Sequence, residues 1–158
     1  MKTEYASELI KTLKSRGMKL ATAESCTGGG IGAALTQVSG ASAVYKGGII
    51  SYTNEVKNKL LGVPLETLDQ YGAVSEPVAK AMAEGARKAL EADIAVSVTG
   101  LAGPTGDEYG NPVGTVFIGY SDGDQRAVKH CLFSGDRESI RNQTIEEALK
   151  LILTMQTK

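Results

Sequence analysis

The chain has 158 residues, 42% of them hydrophobic and 22% charged, the proportions of an ordinary globular protein with one sizeable core. Seventeen basic residues against eighteen acidic ones leave a formal net charge of -1, which excludes the broad basic stripe of a nucleic-acid binder. No apolar run approaches the roughly 20 residues of a membrane span, and the N-terminus lacks a signal peptide's apolar core. Two cysteines, Cys26 and Cys131, are too few for a disulfide framework, so a cytoplasmic protein is expected.

Leu9, Ile10 and Leu13 share one face of an opening helix that Gly17 ends. Lys19 to Ala23 reads as a short strand. A polar and glycine-rich segment, Glu24 to Gly30, precedes helical spacing at Ile31, Leu35 and Val38. Val44 to Tyr52 reads as a second strand that Gly47 and Gly48 weaken or bulge. Asn54 suits the cap of a short helix carrying Val56, Leu60 and Leu61, which Gly62 stops. Ser75-Glu76-Pro77 starts a helix with Val78, Ala81, Met82, Ala89 and Leu90 on its apolar side. Ile94 to Thr99 has the composition of a strand buried on both faces.

A long loop from Gly100 to Pro112 follows. Thr115 to Tyr120 and Ala127 to Phe133 flank Ser121-Asp122-Gly123-Asp124, a hairpin signal. A last helix from about Arg137 to Met155 places Ile140, Thr144, Leu151 and Met155 along one side. With no linker, repeat or low-complexity tract, the expectation is one domain over residues 1–158. Its fold class is α/β, a three-layer α/β/α sandwich with a mixed, mainly parallel sheet and a C-terminal hairpin.

Ligands of α/β folds bind beyond the strand tips, where strands end and helices begin. Four such junctions are candidate walls of one pocket: Glu24 to Gly30, Tyr52 to Lys57, Thr99 to Pro112 and Ser134 to Arg141. In the first, Ser25 is a candidate nucleophile, and Cys26, Thr27, Gly28, Gly29 and Gly30 offer backbone N–H groups to a developing oxyanion. Ser25 or Thr27 acting only as a helix cap is the alternative.

A serine nucleophile needs a base. His130, the one histidine, lies inside a strand, where a structural role is the commoner one. Lys57, in the first turn of a helix, gains a neutral-pH base's character if burial depresses its pKa; a solvated surface lysine is the alternative. Tyr52 either relays a proton or closes the core. Arg137 and Arg141, two cations at a helix start, suit an anion such as a phosphate, or else pair with Asp136 or Glu138.

Gly28-Gly29-Gly30-Ile31-Gly32-Ala33 fits a dinucleotide fingerprint only weakly, since a polar insert separates it from its strand. GxxxxGK[ST] and HExxH are absent. Two cysteines and one histidine do not make a four-ligand zinc site without carboxylates. Asp107 and Glu108 could hold a hard cation or simply decorate a surface loop. No metal site is expected.

Thr22-Ala23-Glu24-Ser25-Cys26-Thr27-Gly28-Gly29 resembles a signature of the CinA C-terminal domain family, the nicotinamide-nucleotide amidases. So do Gly48 to Lys57, Leu60-Leu61-Gly62-Val63 and Gly72-Ala73-Val74-Ser75-Glu76. Thr99-Gly100-Leu101-Ala102-Gly103-Pro104, Pro112 to Val116, and Phe133-Ser134-Gly135-Asp136-Arg137 with Arg141 continue the resemblance in order along nearly the whole chain. The stretch Asp107 to Asn111 departs from the glycine-rich version common in the family.

The resemblance implies hydrolysis of nicotinamide mononucleotide to nicotinate mononucleotide and ammonia. It implies Ser25 as nucleophile, Lys57 as base, Arg141 as an active-site cation and Tyr52 nearby, with no cofactor. It further implies a stand-alone form lacking the N-terminal domain of longer members. Cys26 to Gly30, Thr99, Gly100 and Arg137 are the expected substrate-binding residues. The partners expected are this small nucleotide and, since small enzymes often form symmetric dimers, a second copy of the chain; nucleic acid and membrane are not expected. The rivals are a non-catalytic nucleotide-binding or regulatory domain, a pyridine-nucleotide oxidoreductase and an assembly module.

Overall fold

The computed structural model describes residues 2–157. Helix α1 spans Lys2–Arg16 and turns Ala6, Leu9, Ile10 and Leu13 inward. Strand β1 (Leu20–Glu24), helix α2 (Gly30–Thr36), a single 3-10 turn (Ala41–Ala43) and strand β2 (Tyr45–Ile50) follow. Next come α3 (Asn54–Leu61), α4 (Leu65–Tyr71), α5 (Glu76–Ala89) and β3 (Ile94–Gly100). The hairpin β4 (Thr115–Ser121) and β5 (Arg126–Leu132) leads into α6 (Arg137–Gln156).

The strand order is β2-β1-β3-β4-β5. β1 runs parallel to both its neighbours, and the hairpin supplies the two antiparallel pairings. Lys46 is skipped where β2 pairs with β1, the irregularity that the glycines of this strand announce.

Alternation along the strands builds the three layers. Leu20, Ile94, Val96, Val98, Val116, Ile118 and Tyr120 face the layer of α1, α2 and α6. Ala21, Ala23 and Ala95 face the layer of α3, α4 and α5. That second face is made of small residues because α5 lies close on it. A Cβ at Gly119 would stand 2.5 Å from the Ala79 carbonyl oxygen, which itself accepts a hydrogen bond from Ser97 Oγ. Gly119→Ala is therefore expected to cost about 1–3 kcal/mol through overpacking. A urea midpoint unchanged from the native chain would remove this account of the α5 contact.

Three local expectations are revised. Thr53, not Asn54, caps α3: its Oγ1 accepts from the Val56 N–H at 3.3 Å. Helix α4 was not foreseen, and it buries only Leu68, too little to leave a period in the sequence. Helix α6 packs against both the sheet and α1, so its buried side is broad. Ile140, Thr144, Ile145, Ala148, Leu149, Ile152 and Gln156 are buried, while Leu151 and Met155 are only half-buried.

Candidate active site

Strand β1 ends at Glu24, and the alternation of its side chains carries one residue further. Glu24 turns toward α2, so Ser25 turns to the opposite face, where α3 lies. Helix α3 is amphipathic apart from one inward position, Lys57, which is 1% exposed. Lys57 Nζ donates to Ser25 Oγ at 3.0 Å and to the Ser51 carbonyl at 2.6 Å. The candidate base and candidate nucleophile are thus within hydrogen-bond reach of each other, with a backbone carbonyl orienting the amine.

Burial pushes the Lys57 pKa down to about 8, because a charged amine loses its hydration there. No carboxylate pairs with it among the described residues. A neutral amine is therefore accessible near physiological pH, and its lone pair can face the serine hydroxyl. Cys26 adjoins Ser25, but burial pushes its thiol up to about 11. It stays an unreactive thiol beside the serine.

Ser25, Cys26, Tyr52, Lys57, Thr99 and Gly100 line one cavity of about 310 Å³, within the range of small-molecule sites. Arg137 and the stretch Leu101 to Gly103 close its rim. All four sequence junctions therefore contribute. A fifth wall, Ala73 and Val74 between α4 and α5, was missed; Thr99 Oγ1 donates to the Ala73 carbonyl at 2.8 Å and ties that wall to β3. Its signal in the sequence was the Gly72-Ala73-Val74-Ser75-Glu76 stretch of the family resemblance, which was not read as a pocket wall.

Tyr52 is 63% exposed at the mouth, so it does not close the core. Its hydroxyl accepts from Arg137 at 3.4 Å, and Arg137 also donates to the Gly103 carbonyl at 2.6 Å. Arg141 lies outside this cavity. Its Nε donates to the Cys26 carbonyl and its NH2 to the Thr27 carbonyl, both at 3.0 Å. Neither arginine forms an ion pair among the described residues, so pairing with Asp136 or Glu138 does not occur there.

Gly28, Gly29 and Gly30 also stand outside the cavity wall and shape the turn instead. Gly28 has φ 59, and a Cβ there would meet the Arg141 guanidinium at 3.3 Å. The alternative reading, in which Ser25 or Thr27 caps α2, is not met: Gly29 is its N-cap, with no side-chain cap bond. Glu24, unremarked in the sequence, does that work. Its carboxylate accepts from the Ile31 N–H at 2.9 Å and the Gly32 N–H at 3.0 Å. The α2 amides are consequently unavailable to a substrate oxyanion. Those of Gly28 and Gly30 are spent within the turn, leaving Cys26, Thr27 and Gly29 without a partner among the described residues.

His130 lies on the edge strand, stacked on Phe117 with ring centroids 4.4 Å apart, away from the cavity. Asp107 braces its own loop by accepting from the Tyr109 and Asn111 N–H groups. No cluster of potential metal ligands occurs among the described residues. No described helix is long and apolar enough to cross a membrane.

Fold and site together define a class: an α/β/α protein in which the tip of an inner strand presents a buried serine to a buried lysine. A family model, the CinA C-terminal domain, matches residues 2–156, and the chain belongs to that family. A nicotinamide-nucleotide amidohydrolase PncC of Escherichia coli is 44% identical over 151 residues, covering 94% of this chain and 91% of that protein. Its namesake in Pseudomonas putida is 43% identical over 156 residues, covering 99% and 98%. A putative competence-damage inducible protein of Thermoanaerobacter pseudethanolicus is 46% identical over 149 residues, and there the chain spans only 36% of the longer relative. Among solved structures, a CinA superfamily protein of Klebsiella pneumoniae superposes with a TM-score of 0.97 at 34% identity, over 99% of this chain and 98% of that one.

Proposed function

We propose that the chain hydrolyses the carboxamide of nicotinamide mononucleotide to nicotinate mononucleotide and ammonia, recycling the pyridine ring. The observation that carries this reading is the 3.0 Å contact between Lys57 Nζ and Ser25 Oγ inside a cavity of about 310 Å³. The amidohydrolase relatives, matched over nearly their full length, supply the substrate.

Neutral Lys57 takes the Ser25 proton as Oγ adds to the amide carbon. The free N–H groups at Cys26 and Thr27 are the donors at hand for the resulting oxyanion. Protonated Lys57 gives its proton to the amide nitrogen, the C–N bond breaks, and ammonia leaves a nicotinoyl ester on Ser25. Water, deprotonated by the again neutral Lys57, cleaves that ester and restores the serine. No step draws on a metal or an organic cofactor. The two free thiols, Cys26 and Cys131, agree with a cytoplasmic setting.

Of the two arginines, Arg137 is the one assigned to the substrate phosphate. It lies on the cavity rim, whereas the Arg141 guanidinium is engaged by the carbonyls of the nucleophile turn. Arg137→Ala is expected to raise KM about 10- to 100-fold, the worth of a charge-assisted hydrogen bond, with kcat changed far less. A fall confined to kcat would move the phosphate elsewhere. The reading as a whole is tested by ammonia release from nicotinamide mononucleotide. Binding without release would leave a non-catalytic nucleotide-binding domain.

A further inference from the structure

Glu24 is 2% exposed and forms no ion pair among the described residues, yet it receives four hydrogen bonds. Oε1 accepts from Thr27 Oγ1 at 2.7 Å and from the Ile31 N–H at 2.9 Å. Oε2 accepts from the Gly32 N–H at 3.0 Å and from Thr22 Oγ1 at 3.2 Å. Thr22 Oγ1 is held in turn by the Tyr45 hydroxyl at 2.7 Å. A buried carboxylate with this many donors is satisfied without a cation, helped by the positive end of α2.

Its position gives the arrangement a consequence for Ser25. Glu24 and Ser25 are neighbours on a strand tip, so fixing one side chain on the α2 face fixes the other toward Lys57. The turn between them and α2 is gripped at two places: Thr27 Oγ1 by Glu24, and the Cys26 and Thr27 carbonyls by Arg141. Held this way, the turn keeps the Cys26 and Thr27 N–H groups free of internal partners. The Glu24 main chain reaches the base as well. Its carbonyl accepts from the Ser51 N–H at 2.7 Å, and the Ser51 carbonyl accepts from Lys57 Nζ.

We propose that Glu24 is a positioning residue of the amide-hydrolysis site, holding the Ser25 turn in register with Lys57 while closing the α2 N-terminus to substrate. The proposal rests on Ser25 being the nucleophile. Glu24 touches neither substrate nor reacting atoms; it acts through Thr27 and the backbone of the turn.

Glu24→Gln keeps the size and replaces one acceptor oxygen with a donor. Whichever way the amide lies, its NH2 confronts the Ile31 or the Gly32 N–H, and the turn must move. The expected result is a kcat about 100-fold lower, the scale of a roughly 1 Å misplacement, with KM within about twofold of native. The acid limb of the pH profile stays in place, because Lys57 remains buried. A merely structural role would lower the melting temperature and leave kcat per folded molecule alone. A folded Glu24→Gln with native kcat, or a loss carried by KM, overturns the proposal.

Should Glu24→Gln fail to fold, Thr27→Val decides the matter. It cuts one link and leaves the α2 cap, and is expected to lower kcat about tenfold; native kcat there overturns the proposal too. Ser25→Ala run alongside separates the two readings. Native turnover by Ser25→Ala removes the nucleophile assignment, whereas native turnover by Glu24→Gln beside an inactive Ser25→Ala removes only the role of Glu24.

Discussion

Ser25→Ala is expected to release ammonia from nicotinamide mononucleotide at least about a thousandfold more slowly than the native chain, with nucleotide affinity within a few-fold of native. The proposed mechanism forms a covalent bond to Ser25 Oγ, and the cavity holds no nucleophile ready to replace it. The Cys26 thiol is held protonated by a pKa of about 11. The residual rate would come from positioning and from the oxyanion donors of the turn, which the substitution leaves intact. The fold should be nearly unaffected, since Lys57 Nζ keeps the Ser51 carbonyl and loses one hydrogen bond. Calorimetric titration beside a coupled ammonia assay checks both halves. Undiminished release by the variant would sink the serine mechanism, and native nicotinoyl ester trapped on another residue would name its replacement.

The architecture was legible where one physical signal dominated. Continuous apolar runs gave β3, the Asp122-Gly123 turn gave the hairpin, and Ser75-Glu76-Pro77 gave the start of α5. Helix α4 had no such signal, because a helix that buries one side chain leaves no period to read. Strand order was not legible at all: the parallel neighbours β1 and β3 are separated along the chain by β2 and four α-helices, and no local pattern encodes that pairing.

The site divides along the same line. Polar residues gathered at strand tips could be read as pocket walls, and the structure does bring Ser25, Tyr52, Lys57, Thr99, Gly100 and Arg137 together. What the sequence could not give is which way each side chain turns. Gly28 to Gly30 shape the turn that carries the serine, and Arg141 grips that turn from α6; none of them lines the cavity. Glu24 reads as one more polar residue in a polar segment, because its partners are backbone amides seven and eight residues away.

The most informative variant is Lys57→Met, for which activity and stability are expected to move in opposite directions. Loss of the base should lower kcat/KM by about a thousandfold or more, since general-base catalysis and serine activation disappear together. It should also abolish the rise of kcat/KM through about pH 8 that the proposed mechanism expects from deprotonation of Lys57. Stability follows from the same depressed pKa. In the unfolded chain Lys57 titrates near 10.5, and in the folded protein near 8, so between those values the unfolded state binds more protons. Native stability therefore rises with pH across that window, and the full penalty for holding the charge in the interior is present below pH 8. At about 1.4 kcal/mol for each tenfold change in acidity, the penalty at neutral pH is about 3 kcal/mol. Methionine removes it, fills similar volume, and leaves the Ser51 carbonyl without its donor, which costs about 1–2 kcal/mol. The expected net gain is about 1–2 kcal/mol at pH 7, shrinking to a loss by pH 10 as the native protein recovers. Urea unfolding of both proteins at several pH values isolates this contribution as a difference curve. A variant that is inactive but less stable at pH 7 would mean that the lysine is held by more favourable contacts than its two hydrogen bonds, and that its ammonium form is the one the site is built around.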